Sequence, residues 1–463
     1  MRLLRTGRFA ADAETGVLVV GAGAAGLTAA LSAHAAGAEA MLLERDATPT
    51  GSTSLSSGLI PAAGTRFQRA LGIRDDTATF FADIMAKNGG RTDAARARRL
   101  ADVAGEAVEF LADAAGVPFS VVEGFTYPGH SALRMHGAPR RTGVELMGHL
   151  LEGAERAGIP LVTSAAVSTL AADAAGRILG VEVERPGGGR ERIACRALVL
   201  ACGGFGADAA RVRTHIPTMA NALYFGHPGH RGDALAWAEA LGARLADLAG
   251  HQGHGSVAHP HGILITWAAM TEGGIQVNRE GRRFADESHG YSEHAAAVLE
   301  QPGGEAIAIF DTRIADIARQ FEDFRNAEAL GAVREAADAR ALAAMFALPE
   351  AALAATLAEA DALAAAGTRD AFGRVFSEAK RLVAPYRAVR VTGALFHTQG
   401  GPDTDAEARM LGADGRPVPN LFAAGGAGRG VSGPRADGYL SGNGLLSAVG
   451  FGRIAGLAAA RLS

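Results

Sequence analysis

Cysteine is rare in this sequence, and its rarity narrows the chemistry that the chain can perform. Cys195 and Cys202 are the two cysteines. They are too few for a disulfide framework, and they lack the paired spacing of a zinc, haem or iron–sulfur site. We therefore expect no metal centre, and a reducing, cytoplasmic location is consistent with this usage.

Basic runs and long apolar runs are also absent. The formal net charge is −4, whereas a protein that binds nucleic acid needs a basic face for the phosphates. Glycine or charge interrupts the alanine-rich stretches within about 18 residues, the length that a transmembrane helix needs. Residues 1–15 lack the apolar core of a signal peptide. We expect no nucleic-acid partner and no integral membrane segment.

A G-x-S-x-G nucleophile elbow is missing too, which disfavours a hydrolase. What the sequence does have is length and apolar content. Its 463 residues, 48% of them hydrophobic, are enough for two domains or for one large domain with an insertion. These properties favour a globular enzyme that acts on a small molecule.

Glycine clusters follow three predicted strands that lie far apart in the chain. The strands are 17–20, 197–201 and 421–424, and each leads into glycines. A ligand or another backbone can approach closely at such a place, because glycine has no side chain. One nucleotide-binding domain must then be assembled from distant segments. The predicted insertion is about 250–396, which contains a His/Gly segment, a hairpin-like stretch and alanine-rich helices.

The first of these junctions has the spacing G-x-G-x-x-G. Gly21 permits the turn, Gly23 lets the backbone approach a pyrophosphate, and the helix that begins near Ala24 offers free N–H groups to it. Glu44, at the end of the next predicted strand, is placed to bind ribose hydroxyls. This pattern predicts a dinucleotide site and leaves NAD and FAD open.

Two further segments favour FAD. The serine-rich segment 51–58 follows the second strand closely and supplies small, hydroxylic residues for a pyrophosphate and a ribityl chain. The run 438–446 precedes a predicted helix, 445–460. The N-terminus of that helix could meet the N1/C2 carbonyl edge of a flavin, where negative charge develops on reduction.

Motifs along nearly the whole chain resemble those of one flavoprotein family. Their order is that of the fumarate reductase and succinate dehydrogenase flavoproteins: GAGAAG with Glu44, GSTSLSSG, ACGGFG, HPGHRGDAL, VNREGRRFADE, HTQGG, NLFAAGG, and SGNGLL followed by FGRIAG. That family also includes the 3-ketosteroid dehydrogenases. HTQGG and REGRRFADE are far more specific than G-x-G-x-x-G.

The resemblance implies an α/β fold in which a discontinuous, Rossmann-type FAD-binding domain, residues 1–248 and 398–463, carries an inserted α+β capping domain, residues 249–397. FAD is expected to be non-covalent, because the serine-rich segment lacks the histidine of covalent members. The residues expected to bind FAD are Gly21, Gly23, Ala24, Ala25, Gly26, Glu44, Arg45, Gly51, Ser52, Thr53, Ser56, Ser57, Gly58, Val167, Ala201, Gly203, Gly204, Asp233, Gly425, Gly426, Asn443, Gly444, Leu445 and Leu446.

The resemblance also implies a reaction: hydride exchange between flavin N5 and a carbon β to an electron-withdrawing group, with proton exchange at the α carbon. His397, in HTQGG, is expected to polarise the carbonyl or carboxylate of the substrate, although a lone histidine at a domain seam can equally be structural. His254 is the second expected substrate-binding histidine. The nearby His251, His259 and His261 suggest a metal site, which is disfavoured because neither cysteine nor clustered carboxylates join them and because a glycine-rich loop places its side chains irregularly.

Two tyrosines stand where fumarate reductases carry arginines. Tyr291, shortly after Glu287, takes the place of the proton-donating arginine, and members similar to ketosteroid dehydrogenases use a tyrosine as proton acceptor. A phenol has a pKa near 10, so a tyrosine acting as base must be activated; the alternative is a tyrosine that packs in a hinge. Tyr439 replaces the arginine that clamps the substrate, and Arg435 is either a displaced clamp or a solvated loop cation. This pattern disfavours fumarate reduction and favours a less anionic substrate.

The predicted enzyme interconverts CH–CH and C=C next to a carbonyl or carboxylate, and dehydrogenation is the preferred direction. Its expected partners are a small-molecule substrate and an external electron acceptor or donor, because the chain has no second dinucleotide, haem or iron–sulfur motif. Two alternatives stay open: a fumarate- or enoate-type reductase with Arg435 as clamp, and a catalytically silent FAD-binding or electron-transfer protein.

Overall fold

The computed structural model describes residues 1–463, and its strands gather in two main sheets. The first sheet has nine strands: Arg2–Arg5, Ala13–Val20, Ala40–Leu43, Leu161–Val162, Ala166–Ala172, Ile178–Glu184, Arg190–Leu200, Arg409–Leu411 and Pro417–Ala423. The second has seven: Leu223–Tyr224, His251–Ala258, Ile263–Leu264, Ile275–Val277, Glu305–Asp311, Arg334–Ala336 and Tyr386–Thr398. The remaining strands are short and form two small sheets: Ile60–Pro61, Ser120–Val121 and Met135–Gly137, and Leu245–Ala246 with Gly401–Pro402.

Helices cover both sheets. They are Ala24–Ala35, Arg66–Ala70, Thr77–Asn88, Ala94–Ala114, Gly143–Arg156, Ala209–His215, Asp233–Leu241, Ala268–Thr271, Tyr291–Leu299, Thr312–Ala318, Glu322–Ala329, Ala339–Phe346, Glu350–Ala366 and Asn443–Ala460. Among them, none combines the length and the apolar character needed to cross a membrane. The alanine-rich segment 327–366, predicted as helical, also contains the strand Arg334–Ala336.

The centre of the first sheet is parallel and joins the three predicted strand–glycine junctions. Strand 190–200 lies between strands 13–20 and 417–423. The register pairs Leu200 with both Val20 and Ala423, so the three strands end level with one another. The α/β fold assembled from distant segments is therefore confirmed, and the glycines after these strands meet at one edge, where α/β sheets bind ligands.

Two helices from opposite ends of the chain pack with their backbones in contact. A Cβ atom added at Gly452 would lie 2.6 Å from the carbonyl oxygen of Ala25, and one added at Gly456 would overlap the carbonyl oxygen of Ala29. Glycine at these two positions, one helical turn apart, is therefore what lets helix 443–460 approach helix 24–35. Both helices begin at the glycine-lined edge of the first sheet.

The second sheet is organised by one long strand, 386–398, which pairs with strands 251–258 and 305–311 on its two sides. Strand 223–224 also joins it, in parallel, so the sheet takes one strand from before residue 249. The domain boundaries at residues 248 and 398 stay a prediction.

Strand 251–258 shows how the His/Gly segment is built. We expected an irregular glycine-rich loop here, and the structure has a fully buried strand instead. Gly253 and Gly255 lie against the helix that begins at Tyr291: an added Cβ would meet the Ser292 carbonyl oxygen at 2.5 Å and the His294 ring at 2.9 Å, respectively. Because side chains alternate along a strand, His254 then faces the other way, into the cavity described below.

The helix contact makes a prediction for stability. Replacing Gly456 with alanine should lower the free energy of unfolding by about 1–3 kcal/mol, because the added methyl group overlaps the Ala29 carbonyl in a packed interface. Urea unfolding measures the change. Gly148→Ala is the matched control, since Gly148 also lies in a helix but has open space at its Cβ position, and it should gain up to about 1 kcal/mol. Equal stabilities for the two variants would contradict the close contact.

Candidate active site

One large cavity, with about 1720 Å³ of empty volume including its open mouth, lies where the glycine-lined edge of the first sheet meets the second sheet. Most residues that were expected to bind FAD line it: Gly21, Gly23, Ala24, Ala25, Glu44, Arg45, Gly51, Ser52, Thr53, Ser56, Ser57, Val167, Ala201, Gly203, Gly204, Asp233, Gly425, Gly426, Gly444 and Leu445. Gly26, Gly58, Asn443 and Leu446 lie behind the lining, where they pack against neighbouring backbone and side chains. We call the part of the cavity beside the glycine-lined edge of the first sheet, where Glu44, Arg45 and Asp233 lie, the nucleotide end.

The start of helix 24–35 leaves room for a phosphate group. Gly21 has a φ of 102°, which favours glycine, and a Cβ at Gly26 would overlap the Gly21 carbonyl oxygen. A Cβ at Gly23, in contrast, would meet only Thr53 Oγ1, at 3.5 Å. The residue before the helix is Gly23, its first turn has no acidic residue, and Thr53 Oγ1 accepts the Ala24 N–H at 3.1 Å. The positive end of the helix dipole therefore faces the cavity.

Charged side chains line the nucleotide end and are held in place there. Glu44 accepts hydrogen bonds from the backbone N–H groups of Ala22, at 2.9 Å, and Asp46, at 3.0 Å. Arg45 forms an ion pair with Asp233 and donates to a backbone carbonyl. These geometries fit FAD, since an oriented carboxylate can accept from ribose hydroxyls.

A second helix N-terminus, that of helix 443–460, also lines the cavity. The residue before it is Gly442, and its first turn has no acidic residue. The Gly444 N–H donates to the hydroxyl of Tyr439 at 3.0 Å, and a Cβ at Gly444 would overlap the ring of His397. Two of the expected substrate-binding residues are thus fixed against this helix start.

Aromatic rings form the wall opposite the nucleotide end, which we call the aromatic end: Tyr127, His254, Trp267, Tyr291, Phe396, His397 and Tyr439. The ring of His254 is stacked between Tyr291, at 4.6 Å between centroids, and Phe396, at 5.3 Å. The ring centroid of Tyr439 lies 6.0 Å from that of Tyr291 and 5.6 Å from that of His397. The structure therefore brings four of the five expected catalytic residues together.

Burial keeps the groups of the aromatic end uncharged at neutral pH. It lowers the pKa of His254 to about 3 and that of His397 to about 4. It raises the pKa of Tyr291 and that of Tyr439 above the usual 10; contacts of the Tyr291 hydroxyl with Ser441 and with the Gly442 N–H oppose the rise only in part. Neutral imidazoles and phenols are therefore the resting forms.

Hydrogen bonding also sets the tautomer of His254. Its Nδ1 accepts the backbone N–H of Ser256 at 3.1 Å, so the hydrogen of the neutral ring belongs on Nε2. His254 lines the cavity, and its Nε2–H is available to a carbonyl oxygen there.

Arg435 does not line the cavity. Its side chain is 66% exposed and pairs with Asp437 at 3.1 Å, so of the two interpretations left open for Arg435 the structure favours the solvated loop cation over the substrate clamp. No other cation takes its place, because Glu44, Arg45 and Asp233 are the charged residues of the cavity lining, all at the nucleotide end.

Glu287, in the REGRRFADE motif, has a structural role. Burial opposes ionisation of its carboxylate, but Arg374, at 2.8 Å, and Arg283, at 2.6 Å, outweigh burial and lower its pKa to about 2. Its backbone carbonyl accepts the indole N–H of Trp267 at 3.2 Å. The motif thus fixes the wall of the aromatic end.

Several cavity residues were missed at the level of sequence. His230 Nδ1 lies 3.2 Å from the hydroxyl of Ser52, which also accepts the backbone N–H of His227 at 3.0 Å. Both histidines belong to the motif HPGHRGDAL, in which only Asp233 was assigned a site role. Ser441, beside Tyr291, stands inside the run 438–446 and could have been found there.

Comparison with known proteins gives one family and several relatives that match nearly the whole of this chain. Residues 16–445 match the model of the FAD binding domain family. A probable fumarate reductase of Shewanella frigidimarina, Ifc3, is 30% identical over 447 residues, which cover 96% of this chain and 75% of that protein.

Two solved structures are similar over nearly the whole chain. The open conformation of a flavocytochrome c3 fumarate reductase has a TM-score of 0.81 at 29% identity, covering 98% of this chain and 79% of that one. The 3-ketosteroid-Δ4-(5α)-dehydrogenase of Rhodococcus jostii RHA1, in complex with 4-androstene-3,17-dione, has a TM-score of 0.78 at 28% identity, covering 99% and 100%. FAD is accordingly the cofactor of this cavity.

The space in front of Gly23 makes a prediction for cofactor binding. Gly23→Val should weaken FAD binding at least about tenfold, because the side chain fills the place where the backbone meets the pyrophosphate. The fold should survive, since a Cβ at Gly23 meets only Thr53. The ratio of bound flavin to protein and the melting temperature of the apoprotein measure both effects. Gly148→Val is the control; equal FAD affinity for the two variants would show that Gly23 does not face the cofactor.

Proposed function

The chain belongs to the FAD binding domain family that contains the fumarate reductases, as an FAD-dependent oxidoreductase of the CH–CH class, and from this premise we propose that it dehydrogenates an uncharged carbonyl compound. The product would be the corresponding α,β-unsaturated carbonyl compound. The observation that carries this proposal is the composition of the aromatic end, where three tyrosines and two neutral histidines meet without any charged side chain.

The absence of a cation at the aromatic end argues against a carboxylate substrate. A buried carboxylate loses its hydration and needs a partner of opposite charge, and a buried charge without one is strongly destabilising. A ketone needs only hydrogen-bond donors. His254 and Tyr439 supply such donors at the cavity wall.

Tyr291 is the proposed base. It would take the proton from the carbon α to the carbonyl, while FAD bound at the nucleotide end would accept the β hydrogen with its electron pair, so that a C=C bond forms. The α C–H electron pair becomes part of that bond. The Tyr291 hydroxyl contacts Ser441 and the Gly442 N–H, and both contacts stabilise the phenolate that must act as base.

Negative charge that develops on the carbonyl oxygen would be stabilised by fixed donors. The Nε2–H of His254 is one. Tyr439 is another: its hydroxyl oxygen accepts the Gly444 N–H at 3.0 Å, which leaves its own hydrogen for the substrate. His397 packs against the same helix start and would orient the carbonyl from the other side.

Reduction of an uncharged enone is the second candidate, because burial keeps the Tyr291 phenol protonated at neutral pH, so that it has a proton to transfer. The same residues would then act in reverse: Tyr291 would protonate the α carbon. In either direction the electrons pass to or come from an external partner. Non-covalent binding of FAD is part of the proposal.

The proposed base makes a prediction about rate and pH. We expect a saturated 3-ketone that would yield 4-androstene-3,17-dione to reduce the flavin anaerobically, with a rate constant that rises about tenfold per pH unit from pH 7 to 9, since the phenolate fraction grows that way below a raised pKa. Tyr291→Phe should be at least about 100-fold slower and should lose this dependence. Stopped-flow absorbance of the flavin measures both.

Tyr386→Phe is the matched control, because Tyr386 lies on strand 386–398 and does not line the cavity; it should react like the wild type. A Tyr291→Phe variant that reduces its flavin at the wild-type rate would refute the assignment of the base. A purified holoenzyme whose spectrum responds to no saturated or unsaturated ketone or acid would instead support a silent flavoprotein.

A further inference from the structure

Lys87 reaches from helix 77–88, which belongs to the part of the chain before the second sheet, to the turn that begins the Tyr291 helix. Its Nζ donates to the Glu293 carboxylate at 2.6 Å and to the His289 carbonyl at 2.9 Å. The two side chains of the ion pair are only 12% and 22% exposed. A shielded pair is stronger than one on the open surface, so this link is a real constraint on the turn.

The turn that carries Tyr291 is held on both sides of that residue. On one side Glu287 is fixed by Arg374, at 2.8 Å. On the other side lies Glu293, the partner of Lys87. Between them Gly290 has a φ of 151°, and an added Cβ would lie 2.9 Å from the Glu293 carboxylate. The position of the Tyr291 hydroxyl therefore depends on whether Lys87 holds the second anchor.

The end of the same helix also braces the loop before Tyr439. The amide of Asn88 donates to the Val431 carbonyl at 3.4 Å. Arg91 pairs with Asp437 at 2.7 Å, two residues before Tyr439. One short segment of the chain thus contacts the supports of both tyrosines.

We propose that Lys87 is a positioning residue. Its contacts with His289 and Glu293, which we call the clasp, hold the second sheet and its helices against the nucleotide end and thereby set the position of the Tyr291 hydroxyl. The clasp contact itself is independent of the reaction. Its effect on proton transfer rests on the proposed function.

The chain offers its own control. Lys87 and Lys380 are its two lysines, and they make the same pair of contacts: Lys380 Nζ donates to the Thr271 carbonyl at 2.8 Å and pairs with Glu272 at 3.1 Å. Lys380, however, is 45% exposed and lies away from the cavity lining. Amine chemistry can therefore compare a clasp lysine with an ordinary surface lysine in one molecule.

Limited acetylation of the FAD-loaded enzyme tests the clasp without turnover. Mass spectrometry should show Lys380 modified at least about tenfold faster than Lys87, because Lys87 reacts only when the contact opens. Glu293→Gln keeps the shape of the side chain and removes its charge, and it should raise the labelling rate of Lys87 about fivefold or more while leaving Lys380 unchanged. Equal labelling of the two lysines in the wild type would overturn the proposal.

Kinetics test the positioning. Lys87→Met should lower the rate constant for flavin reduction at saturating ketone about tenfold, with a smaller change in KM, and Lys87→Arg should recover most of the loss, because the guanidinium keeps the charge and the donors. Lys380→Met should behave as the wild type. The double variant Lys87→Met/Glu293→Gln should be no slower than Lys87→Met alone, as expected for two residues that act through one contact.

A Lys87→Met variant with the wild-type rate constant would overturn the positioning role. The two proposals fail separately. If Tyr291→Phe transfers hydride as fast as the wild type while Lys87 stays protected from acetylation, the proposed base is wrong and the clasp stands.

Discussion

The contact between two helices from opposite ends of the chain decides where the cavity lies. Gly452 and Gly456 let helix 443–460 pack against the backbone of helix 24–35, and both helices begin at the cavity. Neither first turn has an acidic residue, and the residue before each helix is a glycine. Two positive dipole ends therefore face one space, which suits a ligand such as FAD, whose pyrophosphate is anionic and whose flavin ring becomes so on reduction.

The charged residues of the cavity lining all lie at one of its two ends. At the nucleotide end, Glu44, Arg45 and Asp233 are each held by backbone or by one another. At the aromatic end, stacked rings and buried phenols exclude charge, and burial lowers the pKa values of both histidines. This division would separate the binding of a dianionic cofactor from the proposed chemistry on an uncharged substrate, and an aromatic end without a cation does not suit a dicarboxylate.

Much of the fold and of the candidate site could be predicted from the sequence, for physical reasons. Glycines after apolar strands mark the edge where a nucleotide binds, whatever the rest of the fold does, and motif order placed Tyr291, His254 and His397 in one site. The strand 251–258 was missed because Gly253 and Gly255 suggest a loop, although in the structure a helix packs against them. The choice between clamp and loop cation for Arg435 stayed open, because spacing does not tell whether a loop cation turns inward. The role of Lys87 depends on a contact across some 200 residues, which no local pattern carries.

Whether the reaction centre accepts an uncharged carbonyl compound and not a carboxylate can be tested with two oxidants that are built on the same six-membered ring. Photoreduced enzyme is mixed anaerobically with cyclohex-2-enone or with cyclohex-1-enecarboxylate, and reoxidation of the flavin is followed by absorbance. We expect the enone to reoxidise the flavin at least about 100-fold faster than the carboxylate does, because the carboxylate would have to be buried without a cation. Reoxidation by the carboxylate at the same rate or faster would contradict it.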